Sequence, residues 1–253
     1  MKQEVATERF KDHFSAHATD YAKFRPRYPE ELFCYLAGIV LERKLAWDCA
    51  TGNGQAAAAL AALFEQVIAT DASHEQIANA ETHPRVNYCV VPAEDSGIAS
   101  STVDLISIAQ ALHWFDLDRF YLEAKRVLKA GGIIAAWAYN LLSIAPRLDV
   151  IVNHYYSNVV GAYWPPERLL VEKFDQLAFP FSEIIPPSFE MRTDWTLDQL
   201  VGYLRTWSAT QRFITANKCD PLESIVEDLR SAWDVPAQRR QIVWPITLRI
   251  GHA

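Results

Sequence analysis

No stretch of the chain approaches the roughly 18 consecutive apolar residues that a membrane helix needs. The amino-terminal MKQEVATERFKDHFSAHATDY is polar and charged, where a signal peptide carries an apolar segment of roughly 7 to 15 residues. A soluble, cytoplasmic protein with no membrane partner is expected. Cysteine is sparse: Cys34, Cys49, Cys89 and Cys219 lie far apart, with no C-x-x-C pair and no clustered His/Cys spacing. That speaks against a zinc site, so no metal is expected, and free thiols in a reducing compartment are. No run of lysines and arginines interrupts a formal net charge of -7, which repels phosphate polyanions and argues against nucleic acid as a partner. Internal repeats and low-complexity linkers are also missing.

What is present is an ordinary globular composition over 253 residues, half of them hydrophobic and 22% charged, enough for one large α/β domain. LAWDCA is a short apolar run ending at glycines, GQAAAALAALF reads as a helix and QVIATDAS as a second strand, which makes a βαβ unit opening near residue 45. The alternation continues with HEQIANAETH as helix, VNYCVVPAED and TVDLISIAQAL as strands, LDRFYLEAKRVLKAGG as a helix with a glycine stop, and GIIAAWAYN as strand. Nearly all-apolar strands alternating with helices predict a doubly wound, mostly parallel sheet covered on both faces.

Two regions depart from that rhythm. In YAKFRPRYPEELFCYLAGIV the prolines after Arg25 and Tyr28 force an extended entry to a helix starting near Pro29 or Glu30. Residues 141–187 are aromatic and helix-like, broken by Pro165 and Pro166, and an insertion there would lie over the carboxyl ends of the sheet, where open α/β folds bind ligands. The expected division is a single domain over 1–253: an arm to residue 42, a core over 43–140, the insertion as a lid over 141–187, and closing helices and strands over 188–253. The last of these, QIVWPITLRI, alternates as a strand, and a final hairpin with one strand antiparallel is expected.

The chemistry-bearing string is WDCATGNGQA, Trp47 to Ala56. Glycines at 52 and 54 let backbone N–H groups approach a ligand without Cβ obstruction. Asp71 follows Gly52 by nineteen positions, where a carboxylate accepts hydrogen bonds from the hydroxyls of an adenosine ribose. These two features admit either a nicotinamide dinucleotide or S-adenosylmethionine. Asp48, at the strand end, suits the cationic amino group of a methionine moiety and would repel a pyrophosphate. PAEDSG then offers Ala93, Glu94 and Asp95 to an adenine edge.

With IAQALHWFD and KRVLKAGGIIAAW following in this order, the set resembles the class I S-adenosylmethionine-dependent methyltransferases of small-molecule, type 11 character. YAKFRPRYP, AQALHWFD and YLRTWSAT are similar to the group of trans-aconitate methyltransferase relatives that esterify small carboxylic acids. The resemblance implies a Rossmann-like, seven-stranded methyltransferase sheet. It implies donor contacts from Tyr21, Arg25, Asp48, Ala50, Thr51, Gly52, Asn53, Gly54, Gln55, Asp71, Ala72, Ala93, Glu94, Asp95, Gln110 and Ala111. His113 would stand beside the transferred methyl as base or orienter, and Trp114, Arg205, Trp207 and Arg212 would meet the acceptor. Arg205 and Arg212 are seven apart on one helical stretch and would share a face.

The family has glycine where this chain has Ala50, which a negative φ would accommodate. A carboxylate acceptor arrives ionised and needs no base, and Arg25, Arg205 and Arg212 are the guanidinium groups nominated to grip it. The place of the N-P-P-Y or D-P-P-Y string of DNA and protein amine methyltransferases reads A-Q-A-L, a further argument against nucleic acid bases. A nicotinamide-dependent oxidoreductase and a non-catalytic donor-binding module are the alternatives.

Overall fold

The computed structural model describes residues 26–253. Pro29 leads into α1, Glu30–Ile39, with Glu30 and Glu31 in its first turn, where carboxylates complement the unpaired N–H groups. The core then runs β1 (Leu45–Cys49), α2 (Gln55–Ala61), β2 (Gln66–Asp71), α3 (His74–Ala78), β3 (Val86–Val90), β4 (Val103–Ala109), α4 (Leu117–Val127) and β5 (Leu128–Tyr139). After it come α5 (Pro146–His154), α6 (Arg168–Glu172), β6 (Ser182–Ile184), β7 (Phe189–Trp195), α7 (Leu197–Arg205), α8 (Ser208–Asn217), α9 (Val226–Trp233) and β8 (Arg240–His252).

The strand order is β3-β2-β1-β4-β5-β8-β6, with β7 also on β8. β1 through β5 pair in parallel, and β8 is antiparallel to its neighbours. β6 meets residues 250–252 of β8 and β7 meets residues 240–246. These two short strands lie end to end along one edge, so eight strands fill the seven positions of the sheet that the resemblance implies.

Period-two alternation divides the sheet's side chains between two cores. Ala46, Leu105, Ile133 and Trp137 face one cluster with Leu32, Leu60, Leu200 and Trp233. Trp47, Ile106, Ile134 and Ala136 face the other with Phe120, Val127 and Phe174. Burial on both faces is why these strands read as continuous apolar runs rather than alternating ones.

Three elements differ from expectation. The helix expected to stop at the double glycine ends at Val127, and β5 starts at the next residue. The glycines form a bulge instead: Val103 pairs with Leu128 but Leu105 with Ile133, so extra residues on β5 loop out around Gly131 at φ 75°. The helix HEQIANAETH is reduced to Ser73-capped α3. The stretch expected to carry Arg205 and Arg212 on one face breaks at Trp207, whose φ of -64° and ψ of 136° separate α7 from α8. No helix among the described residues is long and apolar enough to cross a membrane.

Candidate active site

The chain leaves β1 through a turn in which Ala50, Gly52 and Gly54 have φ of 54°, 57° and 81°. Glycine is at ease there, and at Gly54 it is also required by space, because a Cβ would run into the Tyr88 hydroxyl. Ala50 does not meet the condition set for it: its φ is positive, the region where a Cβ crowds the following carbonyl. The rest of the turn is tied down from several sides. Thr51 N–H donates to Thr70 O at 2.9 Å and Glu81 N–H to Asn53 O at 2.9 Å. Gln55 Oε1 accepts from Tyr28 N–H at 3.3 Å.

Asp48 is placed differently from the expectation that it meets an amino group at the strand end. It is fully buried, since its register partner on β4 is Ser107. Ser107 Oγ donates to Asp48 Oδ1 at 2.6 Å, and Thr51 Oγ1 to Oδ2 at 2.5 Å. Burial raises its carboxyl to about 6 despite these bonds. Asp48 therefore clamps the turn to β4 from inside.

Asp71 closes the turn from the neighbouring strand. Its Oδ2 accepts from Gly52 N–H at 2.9 Å and its Oδ1 from Ser73 N–H at 2.8 Å. Ala72 beside it is exposed, and Ser73 caps α3. Ala93 is buried, Glu94 Oε1 accepts from Asp116 N–H at 3.0 Å, and Asp95 is exposed in the field of Arg126. The segment behind them is anchored by Glu123, which takes Ser96 N–H and Oγ on one oxygen and Arg126 on both.

β4 ends in another left-handed residue, Gln110 at φ 56°, whose N–H donates to Trp137 O and whose Nε2 donates to Tyr139 O, both at 2.8 Å. A non-glycine residue held there stores strain that functional sites tolerate. Ala111 is buried next to it. Then comes a single tight turn, Leu112–Trp114.

That turn opens on a cavity of about 120 Å³. Its floor is Gln110, His113, Trp114 and the end of β5, Tyr139 to Leu141. Its far wall comes from Tyr156, Trp164, Pro165, Arg168 and Val171 of the 141–187 segment, and from Tyr203, Trp207 and Ser208. Tyr156 lies in a wide helical turn, Tyr155–Val159, of the kind often found at functional sites. Ring centroids of Tyr156, Trp164 and Trp207 are 4.8, 5.5 and 5.8 Å apart, so the three rings form one aromatic wall.

Arg168 is the single formally charged side chain among the described lining residues. Its guanidinium lies 5.8 Å from the Tyr156 ring centroid and 5.5 Å from that of Trp164, and donates to Asn140 Oδ1 at 2.5 Å. All three partners are neutral. His113 is 8% exposed, stacks on Trp114 at 4.9 Å, and its Nδ1 has no hydrogen-bond partner among the described residues. Burial, helped by the charge of Arg168, lowers its pKa to about 3, so the imidazole is neutral.

Of the nominated acceptor residues, Trp114 and Trp207 line the cavity and Arg205 and Arg212 do not. Arg205 points outward and pairs with Asp220 at 2.6 Å, because the break at Trp207 ends the helix that was to align the two arginines. Tyr21 and Arg25 lie outside the described residues, while Arg27 is exposed and reaches Glu81 at 3.4 Å. Arg168, Tyr156 and Trp164 were not singled out from the sequence. The available signal was the density of aromatics around WPPER in the inserted segment. No cluster of His, Cys, Asp and Glu suited to a metal occurs among the described residues.

The family described as a methyltransferase domain matches residues 47–136. A Dictyostelium discoideum protein with a methyltransferase name is 35% identical over 230 residues, 89% of this chain and 88% of that protein. A Saccharomyces cerevisiae protein, named as an S-adenosylmethionine-dependent methyltransferase, is 32% identical across 82% of this chain and 83% of its own length. Among solved structures, one titled a type II methyltransferase from Anaeromyxobacter dehalogenans is 43% identical, covers 90% of this chain and 98% of its own, and superposes with a TM-score of 0.86. Sheet order, glycine turn and these relatives agree: the chain belongs to the class I S-adenosylmethionine-dependent methyltransferases.

Proposed function

We propose that this methyltransferase esterifies a small organic acid in the cytoplasm, transferring the methyl group to a carboxylate oxygen. The observation that carries the reading is what the cavity contains: one guanidinium, and no described group able to take up a proton near neutral pH. A phenol or amine acceptor must shed a proton, which calls for a general base. An imidazole whose conjugate acid has a pKa of about 3 is a poor one, and burial pushes the Tyr156 hydroxyl up, away from ionisation. A carboxylic acid, with an ordinary pKa of about 4, enters already ionised. His113 then orients the acceptor and does not deprotonate it.

The turn suits the donor. Left-handed Gly52 and Gly54 leave the backbone open, and Asp71 sets a carboxylate beside them where the ribose hydroxyls of the donor would be received. Gln110, just past the end of β4, lines the cavity, and Ala111 is buried beside it. Bound S-adenosylmethionine supplies an electrophilic methyl group, whose transfer forms a C–O bond as the C–S bond breaks and its electron pair passes to sulfur. The aromatic wall would exclude water from that exchange, and its rings suit a cationic donor brought close to them. A cavity this small and a net charge of -7 favour a small molecule over a macromolecular acceptor.

Incubation with methyl-labelled donor and separate panels of carboxylic acids, phenols and amines tests the reading. The expected product is formed from acids and loses its label as methanol in mild alkali, as an ester must. Label recovered only in alkali-stable ethers or methylamines would overturn it.

A further inference from the structure

The cavity also limits how many carboxylates the acceptor can carry and what they are attached to. Arg168 is the one formal charge among the described lining residues. Its described partners are an amide and two ring faces, and no carboxylate pairs with it. A cation with neutral direct partners in an aromatic recess, the neighbouring Glu172 carboxylate being taken up by the Tyr156 hydroxyl at 2.6 Å, is matched by a single anion. A further carboxylate would meet no second counter-charge among the described lining residues, which is penalised.

His113 supplies the second, independent observation. It is more than nine-tenths buried and lines the same cavity, yet Nδ1 lacks a described partner. Such a group is costly to leave unpaired. A neutral imidazole protonated at Nδ1 satisfies itself by donating to an acceptor oxygen placed in the recess.

Size and shape complete the case. About 120 Å³ is close to a void of roughly 150 Å³ that holds benzene, and the walls are flat rings. We infer that the acceptor is a compact monocarboxylic acid, its one carboxylate shared by the Arg168 guanidinium and the Nδ1–H of His113, its flat apolar body against Tyr156, Trp164 and Trp207. This rests on the carboxylate reading above, and it separates the chain's acceptor from polycarboxylates.

Benzoate, cinnamate and hexanoate are compared with tricarballylate, aconitate and citrate, and with catechol and benzylamine, by methyl transfer and by quenching of tryptophan fluorescence without donor. Monocarboxylates should exceed tricarboxylates at least tenfold in both kcat/KM and affinity. Arg168→Gln should weaken benzoate binding at least thirtyfold and leave the S-adenosylhomocysteine Kd within twofold, with Arg168→Lys recovering part of the loss. His113→Phe should weaken benzoate binding about tenfold, and His113→Asn, which returns an N–H near the Nδ1 position, should restore it.

Preference for tricarboxylates would overturn the inference and leave the carboxylate reading standing. Turnover of catechol or benzylamine alone would overturn both. Benzoate binding unchanged in Arg168→Gln would overturn the inference even without turnover of any acid.

Discussion

The glycine turn and the aromatic cavity sit side by side at the carboxyl end of one sheet, and they are built on opposite principles. The turn is made from residues close in sequence to the ends of β1 and β2, held by backbone hydrogen bonds and by the carboxylates of Asp48 and Asp71. The cavity draws its walls from positions between 110 and 208 that are far apart in sequence, and packs their rings on one another and on one guanidinium. A turn whose geometry is fixed by φ angles specifies one ligand and tolerates little change. A wall of side chains can be reshaped one ring at a time without disturbing the donor's seat.

The sharpest way to break that contrast is Trp207→Ala. Trp207 is buried against Tyr155, Tyr156, Trp164 and Tyr203, and removing such a core aromatic costs about 3–5 kcal/mol. Urea unfolding should show that loss, while calorimetry on the folded protein shows S-adenosylhomocysteine binding within twofold of wild type. A large drop in donor affinity would mean that the two sites are one structure.

Gly54→Ala attacks the other side. Its left-handed φ and the collision with Tyr88 should cost about 2–4 kcal/mol and weaken S-adenosylhomocysteine at least tenfold, leaving benzoate quenching of tryptophan fluorescence nearly intact.

A third test uses two buried groups, one from each region. Asp48 has a folded pKa of about 6 against 3.8, so its buried charge is a burden at neutral pH that is relieved as pH falls through 6. His113 has a folded pKa of about 3 against 6.5, so the unfolded chain gains its proton first and stability is lost as pH falls below 6.5. Each contributes about 1.4 kcal/mol per pH unit, with opposite sign. Between pH 6.0 and 4.5 they offset one another in wild type. In His113→Asn only the Asp48 gain remains, so unfolding free energy should rise on acidification by about 2 kcal/mol more than in wild type. Parallel stability curves for the two proteins would refute the shift assigned to His113.

The smallest effect is expected at Ala50. Substitution by glycine removes the left-handed strain at φ 54° and should stabilise the fold by about 1 kcal/mol, raising Tm by about 2–4 °C. No rise in Tm would show that the turn has already absorbed the alanine methyl.

The same contrast explains what could be read from the sequence. The β1-to-β5 rhythm and the place of Asp71 at the end of β2 are legible because local pattern and spacing determine them. The double glycine was misassigned because a bulge and a helix stop share the same residues, and only the pairing of Leu128 with Val103 distinguishes them. Arg205 and Arg212 were aligned on a helix that Trp207 interrupts, and that interruption accompanies the packing of Trp207 on aromatics some 40 to 50 residues earlier. For Arg168 the aromatics around WPPER mark only the segment, since its partner Asn140 becomes its neighbour only after the chain folds back.

The shared edge beside β8 has its own consequence. β6 is three residues long, Ile185, Pro186, Pro187 and Ser188 separate it from β7, and β7 presents exposed Arg192 and Asp194. Prolines lack the N–H that an incoming strand would need, and charges on a short edge discourage pairing. At the opposite border β3 spans only five residues. A sheet that could otherwise be extended indefinitely by neighbouring copies is thus stopped on one side by imino acids and charge, and on the other by brevity.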